Sequence, residues 1–399
     1  MDILNHLNKL VIDNEEKINE WIFKKSNISN PPFYTSTDLR ISQNKIAAVD
    51  TNIFPAGFNN LSSIFKKLGS EHIDNFINKN FNFKISKVLI IPEIHTRNPF
   101  YWDNVLAIQD MLSLLNVESK VGLVLEDEVD FEFDFDSTSN VKVTASLVKR
   151  NKDTIYIDNF EPDLIIINND FSNFYPEILS KTSQIIVPSI EVGWHTRKKD
   201  IHFHFYNSLV EEFSKIIKVD KSFFSLDTEL DTELVSNIDI DNIKDRERVS
   251  KVVDRISNKS NSGAFIKSNV GTYGMSVMNI KNGEDFINLN RDGRKKMKIS
   301  KGGRVLNDLI VQESVPTVFK NKEPVYYLID NKVCGGFFRV NDSKGDTDNL
   351  NTRGMYFSCI CMEKNCLNCD KFLQPILTII SKIGSLATGL EIQHIIEDV

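Results

Sequence analysis

The stretch EPVYYLIDNKVCGGFFRVNDSKGDTDNLNTRG, residues 323–354, decides the fold of the C-terminal part of the chain. Two apolar runs flank the pair Asp330-Asn331, and such a pair between alternating apolar residues indicates a tight β-hairpin. The second run reaches Arg339, which can project a bidentate cation toward a phosphoryl group or a carboxylate. A small-residue loop then carries polar side chains at Asn349, Asn351 and Arg353.

Upstream of this hairpin, the segment FIKSNVGTYGMSV (265–277) combines a lysine with a glycine loop. Lys267 ends an apolar strand, so its charge can act on the phosphates that the backbone N–H groups of the loop approach. The loop consists of Gly271, Thr272, Tyr273 and Gly274. It is not a Walker loop, which needs Gly-Lys-Ser/Thr opening a helix. A plain glycine hairpin is the alternative interpretation.

The strand LIVQESV (309–315) carries two polar residues after three apolar ones. This order is typical of a hinge that hydrogen-bonds a nucleotide base through side chain and backbone. We therefore predict that Gln312 and Glu313 contact the nucleotide base. Val315 and Glu323 are further candidates for nucleotide binding.

The first half of the chain contains five short runs rich in β-branched residues. A helix-period stretch from Val105 to Leu115 separates two of them, so the pattern indicates buried parallel strands with crossover helices in an open α/β domain. The runs are KIAAVD (45–50), KVLIIPE (87–93), VGLVLED (121–127), DLIIINND (163–170) and QIIVPS (184–189).

Polar residues follow these runs, where open α/β sheets bind their ligands. Ordinary polar loop residues are the alternative interpretation for any one group. The groups are Asp50-Thr51-Asn52, Glu93 with His95 and Arg97, Asn168-Asn169-Asp170, and His195 with Arg197.

Changes in composition and in predicted secondary structure along the chain indicate three units. Residues 1–205 form an N-terminal α/β domain, residues 206–315 a helical connector and a lobe with the glycine loop, and residues 316–399 a C-terminal lobe. The overall class is α/β, with α+β character in the C-terminal half.

Composition excludes several classes of protein. The 399 residues are 41% hydrophobic, which is enough for more than one core. The net charge of -7 has the wrong sign for neutralising nucleic-acid phosphates. No apolar run is long enough to span a membrane, and five cysteines do not form a disulfide framework. We expect a soluble, cytoplasmic protein.

The succession of strand lysine, glycine loop, base hinge, hairpin arginine and Asn-Leu loop resembles the ATP-grasp ligases. Longer strings resemble one family within them, the proteobacterial glutamate–cysteine ligases built on the ATP-grasp fold, from about residue 35 to residue 357. These strings are TSTDLRISQNKIAAVDTNIFPAGFNNL, LIIPEIHTRNPFYWDNV, LIIINNDFS, EVGWHTRKKDIHFHFY, GTYGMSVM and VQESVPT.

The resemblance implies ATP-dependent ligation of glutamate to cysteine, in which the side-chain carboxylate of glutamate is phosphorylated and the amine of cysteine then attacks. It implies Mg²⁺ as well as ATP. Lys267, Arg339 and Asn349 are the catalytic candidates. The substrate-binding candidates are Arg40, Asp50, Asn52, Asn59, Glu93, His95, Arg97, Asn351 and Arg353.

The metal ligands follow the family pattern less well. Only Glu363-Lys364-Asn365 has the Glu-x-Asn pattern expected of an Mg²⁺ site, so Glu363 and Asn365 are the candidates. The helix that usually precedes this pattern is not indicated by the sequence. His202 and His204 would share one face of an extended segment, but no third ligand accompanies them. Zinc has four candidate thiols with an unusually short spacer, and we favour ordinary thiols at Cys359, Cys361, Cys366 and Cys369.

Two alternatives stay open. A related ligase with another amine acceptor would use the same residues. A nucleotide-binding regulatory module without catalysis is disfavoured because Lys267, Arg339 and Asn349 occur together.

Overall fold

The computed structural model describes residues 2–93, 98–125, 133–171, 174–193, 195–226, 232–260, 262–270, 276–298, 307–360 and 373–397. The strands are β1 (Tyr34–Ile41), β2 (Ile46–Asn52), β3 (Lys87–Pro92), β4 (Glu118–Leu123), β5 (Phe133–Asp136), β6 (Lys142–Leu147), β7 (Lys149–Asn151), β8 (Thr154–Tyr156), β9 (Leu164–Asn168), β10 (Ile185–Val187), β11 (Thr232–Val235), β12 (Ala264–Ser268), β13 (Val277–Ile280), β14 (Leu309–Glu313), β15 (Lys322–Ile329), β16 (Lys332–Val340) and β17 (Tyr356–Cys359). The helices are α1 (Asp2–Asp13), α2 (Glu15–Ser29), α3 (Ser63–Asn80), α4 (Pro99–Ser113), α5 (Lys199–Ile217), α6 (Ile243–Ser260), α7 (Gly283–Ile287), α8 (Arg291–Lys298) and α9 (Pro375–Glu397).

A five-stranded antiparallel sheet in the order β17-β16-β15-β1-β2 joins the two ends of the chain. Its β15–β16 hairpin confirms the turn expected at Asp330-Asn331, because Ile329 pairs with Lys332 across those two residues. Both turn residues have positive φ, 47° and 58°. Asp and Asn tolerate this conformation, and a two-residue turn of this geometry matches the twist of the strands it joins.

The segment KIAAVD does not form a parallel strand, so that expectation is wrong. It lies in β2, the edge strand of the five-stranded sheet, and pairs antiparallel with β1. A tight turn joins the two strands, with the amide of Ser42 donating to the carbonyl of Lys45 at 2.8 Å. The strand β1 is buried along its whole length, although its sequence YTSTDLRI is largely polar.

A six-stranded sheet in the order β10-β9-β3-β4-β6-β5 contains the other four apolar runs. Neighbouring strands from β10 to β6 pair in parallel, and only the edge strand β5 is antiparallel. The crossover helix α4 follows β3, as predicted. Alternate residues of β3 enter different cores, Val88 and Ile90 on one face and Leu89 and Ile91 on the other. A parallel strand buried on both faces reads as a continuous apolar run.

A four-stranded antiparallel sheet in the order β11-β14-β12-β13 has its own hydrophobic core. Its apolar face packs on α6, with Val249, Val253 and Ile256 fully buried beside Ile266 and Val311. This sheet and its helices form a lobe between residues 232 and 313 that carries the predicted lysine and hinge.

Helix α9 is the helix of the described residues with the length and hydropathy of a membrane span. However, 72% of its apolar window is buried within the protein. Gly384 lets α9 approach β1 and β2 closely, because a Cβ there would lie 2.8 Å from the hydroxyl of Thr51. We therefore interpret α9 as a core helix of the five-stranded sheet.

Candidate active site

One cleft separates the four-stranded sheet from the five-stranded sheet, and it encloses about 740 Å³, part of it open to solvent. Residues from β1, β2, β15 and β16 line one side, and residues from β12, β13 and β14 line the other. The lining residues are Asp38, Arg40, Val49, Asp50, Lys199, Phe265, Lys267, Ser268, Val277, Gln312, Glu313, Val315, Glu323, Arg339, Asn349 and Asn351. Most of the predicted nucleotide and catalytic residues therefore meet in one place.

Lys267 is buried at the end of β12 and bridges the two sheets. Its Nζ donates to the carbonyl of Val49 at 3.0 Å and to Oε1 of Gln312 at 2.8 Å. The rings of Phe203 and Phe265 lie 5.8 Å away. Burial lowers the pKa of Lys267 to about 8. Below that pH the lysine is a cation, and its field is poorly screened because its surroundings are buried.

Four buried charges form a network on the floor of the cleft. Nη1 of Arg339 donates to Oδ2 of Asp38 and to Oε1 of Glu323, both at 2.6 Å, and Nε of Arg40 lies 2.6 Å from Oε2 of Glu323. Burial raises the pKa of Asp38 to about 6, and the charge of Arg339 only partly opposes this shift. The pKa of Glu323 is lowered, because the charges of Arg40 and Arg339 outweigh its burial. Nε of Arg339 is buried and has no hydrogen-bond partner within the described ranges.

Arg40 also holds the loop that follows β16. Its Nη1 donates to the carbonyl of Asp346 at 2.9 Å, and its Nη2 donates to the carbonyl of Asp348 at 2.7 Å. The next residues of this loop are the cleft residues Asn349 and Asn351, and Oδ1 of Asn349 accepts from the amide of Asn351 at 2.9 Å. Arg40 thereby joins β1 to the polar loop.

Asp50 and Lys199 face the cleft from β2 and from the start of α5. The carboxylate of Asp50 makes no hydrogen bond or ion pair to the residues described. Burial lowers the pKa of Lys199, and the charge of Asp50 opposes this shift. Lys199 is half-buried in the wall of the cleft, whereas the preceding Lys198 is exposed.

Arg197 does not line the cleft, and its side chain is held by a buried carboxylate. Its Nε and Nη2 donate to the two carboxylate oxygens of Glu391 at 2.9 and 2.7 Å, and its Nη1 donates to the carbonyl of Thr51 at 3.0 Å. His202 adds a contact of 3.2 Å from Nδ1 to Glu391. Since His202 lies in α5, the extended segment that would have placed it beside His204 is absent.

The hinge residues occupy the expected place at the end of β14. Gln312 is buried and accepts from Lys267, whereas Glu313 forms an ion pair with Lys45, whose Nζ also donates to the carbonyl of Ser225 at 2.8 Å. Val315 follows at the cleft margin.

Several predicted residues lie elsewhere. Asn52, Asn59 and Glu93 do not line the cleft, and Arg353 is exposed. Tyr101 donates to the carbonyl of Asn168 at 2.7 Å and accepts from the amide of Glu93 at 2.8 Å, at the end of the parallel sheet. The predicted residues outside the described ranges are Gly271, Thr272, Tyr273, Gly274, His95, Arg97, Glu363, Asn365, Cys361, Cys366 and Cys369.

The sequence analysis missed two charged residues of the cleft. The signal for Asp38 is its alternation with Arg40 along β1, which places both side chains on the same face of the strand. Lys199 follows another lysine, and no local signal distinguishes the two. The described residues contain no group of three His, Cys, Asp or Glu side chains arranged as metal ligands.

Comparisons with known proteins identify the family of the chain. The family described as glutamate–cysteine ligase (GshA) matches residues 8–392. A crystal structure from Methylobacillus flagellatus KT, provisionally named gamma-glutamylcysteine synthetase, is 30% identical, with 98% of this chain and 96% of that chain covered and a TM-score of 0.85. No curated protein matches the chain significantly. The chain belongs to the glutamate–cysteine ligase family, whose members are ATP-dependent ligases.

Proposed function

We propose that the cleft is an ATP-grasp active site, in which ATP lies between the two antiparallel sheets and phosphorylates the γ-carboxylate of glutamate. The observation that carries this proposal is the convergence of Lys267, Lys199, Arg40 and Arg339 on one cleft. ATP and glutamate are both anions, so their approach needs fixed cations. Gln312 and Glu313, the predicted base-binding residues, line the same cleft as these cations. This supports a nucleotide as the ligand rather than a carboxylate alone.

The first step joins two anions. An oxygen of the γ-carboxylate attacks the γ-phosphorus of ATP, the bond to the bridging oxygen breaks, and ADP leaves with both electrons of that bond. Lys267 is placed to neutralise charge on the transferring phosphoryl group, because it is a buried cation beside the hinge. Such a positioned cation contributes mainly through electrostatic stabilisation of the transition state.

The second step forms the amide. The amine of cysteine attacks the acyl carbon, loses a proton, and displaces inorganic phosphate. Arg339 is a candidate for the departing phosphate, since its buried Nε lacks a hydrogen-bond partner within the described ranges. Asn349 and Asn351 also line the cleft and are candidates for hydrogen bonds to the reacting groups.

The amino-acid substrate is assigned to the side of the cleft built by β1 and β2. Arg40 uses three of its roughly five N–H donors on Glu323 and on the carbonyls of Asp346 and Asp348. The remaining N–H groups are available for a substrate carboxylate. Asp50, whose carboxylate has no hydrogen bond within the described part, is suited to the substrate's ammonium group.

Mg²⁺ would neutralise the ATP phosphates when bound. It commonly uses one or two carboxylates together with phosphate oxygens and water, so a site with three protein acids is not required. Glu363 and Asn365, which lie outside the described residues, stay the predicted ligands. We place the enzyme in the cytoplasm, where ATP and reduced cysteine are available.

The test is ADP release with glutamate and a panel of amines. We expect turnover with glutamate and cysteine, and a loss of about two to four orders of magnitude in kcat for Lys267→Met. Lys298→Met is the matched control, because Lys298 is an ion-paired lysine of the same lobe that does not line the cleft. Near-normal kcat in folded Lys267→Met would contradict the assignment of the cleft. Faster turnover with another amine would identify a different ligase.

A further inference from the structure

We propose that Asn269 is a positioning residue that holds Lys199 in the cleft and thereby couples the strand carrying Lys267 to helix α5. This inference rests on the proposed function only in taking the cleft as the place of reaction. Asn269 follows β12 directly, two residues after Lys267, and is 2% exposed. It does not line the cleft itself.

The start of α5 depends on a residue from another lobe. Its N-cap residue, Lys198, makes no side-chain capping bond. Instead, the amide of Lys199 donates to the carbonyl of Asn269 at 2.9 Å, and the amide of Asp200 donates to Oδ1 of Asn269 at 3.0 Å. The first N–H groups of a helix have no partner within the helix, so these two bonds replace a local cap.

Asn269 is itself fixed in the four-stranded lobe. Its amide donates to the carbonyl of Asp308 at 2.9 Å, and the preceding Ser268 pairs with Leu309 of β14. The backbone that positions Lys267 therefore also determines where α5 begins. Because Lys199 is the first residue of α5, a shift of Asn269 moves both lysines relative to the cleft.

Two cations on different elements of the cleft wall, Lys267 on β12 and Lys199 on α5, must be spaced correctly to act on one polyanion. A displacement of about 1 Å in such an arrangement can cost two orders of magnitude in rate. Asn269 provides a direct hydrogen-bonded link between these elements, and its carboxamide oxygen is the part of the side chain that makes the link. A carboxylate has the same acceptor in the same place, whereas an alkyl group has none.

The experiment compares Asn269→Leu and Asn269→Ala, which remove the side-chain acceptor, with Asn269→Asp, which keeps it. We expect the first two to lower kcat/KM for ATP about tenfold or more and Asn269→Asp to stay within about threefold. In a Lys199→Met background, Asn269→Leu should have less than about a twofold further effect, since interacting residues are not additive. Amide exchange at residue 200 should accelerate in Asn269→Leu and Asn269→Ala, and it should stay as in the wild type in Asn269→Asp.

Asn282→Ala is the matched control, because Asn282 caps α7 in the same lobe through the amide of Asp285 at 3.0 Å and is exposed outside the cleft. Its kcat/KM should stay within about twofold. Wild-type activity in Asn269→Leu, or full additivity with Lys199→Met, would overturn the coupling even if Lys267→Met is inactive. If Lys267→Met and Lys199→Met both keep normal activity, the proposed function fails instead.

Discussion

Replacement of Glu391 by glutamine tests whether the ion pair behind the cleft stabilises the fold. Glu391 is fully buried in α9 and accepts two hydrogen bonds from Arg197, whose third contact is the carbonyl of Thr51 in β2. The substitution keeps the size of the side chain but leaves the guanidinium without a counter-charge. The perturbation is therefore electrostatic rather than steric.

The expected magnitude follows from the pKa of Glu391. Burial alone would raise this pKa, but the charge of Arg197 and hydrogen bonds from His202 and Arg197 lower it to about 2. With an unfolded value of 4.5, the shift corresponds to about 3 kcal/mol of stability. Loss of one partner of a buried pair typically costs about 3–5 kcal/mol. The contribution is complete above pH 4.5 and disappears as the pH falls toward 2.

The assay is urea unfolding followed by tryptophan fluorescence, since Trp102 lies in the same core as α9. Glu391→Gln should lose about 3 kcal/mol at pH 7, and its difference from the wild type should shrink between pH 5 and pH 2. Glu20→Gln is the control, because the Glu20–Lys24 pair is 66% exposed at both residues and should not affect the midpoint. An unchanged midpoint in Glu391→Gln, or a difference independent of pH, would refute the reasoning.

The other predictions concern the cleft and its supporting sheet. Because burial lowers the pKa of Lys267 to about 8, kcat/KM for ATP should fall as pH rises through 8. An active Lys267→Arg variant should lack this alkaline decrease, and an unchanged decrease would show that another group titrates. Arg40→Lys should raise KM for glutamate or cysteine and leave KM for ATP within about threefold, because lysine can restore only one of the three contacts of Arg40. Steady-state kinetics in which only KM for ATP rises would contradict this. Gly335→Ala should destabilise the protein by about 1–3 kcal/mol in urea, since its Cβ would lie 2.4 Å from the Phe65 ring; unchanged stability would show that Phe65 moves freely.

Local chemistry explains what the sequence predicted well. The hairpin at Asp330-Asn331 depends on two turn residues and their flanking strands, so neighbours in sequence suffice. The runs at 87–93 and 163–170 are apolar because both faces of the parallel sheet are buried. The cleft residues Lys267, Gln312 and Arg339 end or interrupt apolar strands, which is a pattern visible without tertiary contacts.

Distant contacts explain what the sequence did not predict. The strand β1 is rich in serine and threonine, yet it is buried because β15 pairs with it from nearly 300 residues away. Arg197 looks like a surface cation until Glu391, 194 residues later, is brought against it. Lys199 differs from Lys198 only through the start of α5, which Asn269 of the other lobe helps to determine.

Transfer of ¹⁸O from glutamate to phosphate tests the central claim most directly. Glutamate labelled with ¹⁸O in its γ-carboxylate is incubated with ATP, cysteine and the enzyme, and the released phosphate is analysed by ³¹P NMR. Attack of the γ-carboxylate on ATP predicts that each phosphate carries one oxygen from glutamate, because the carboxylate oxygen leaves with the phosphoryl group in the second step. Amide formation with unlabelled phosphate would contradict an acyl phosphate and the chemistry assigned to the cleft.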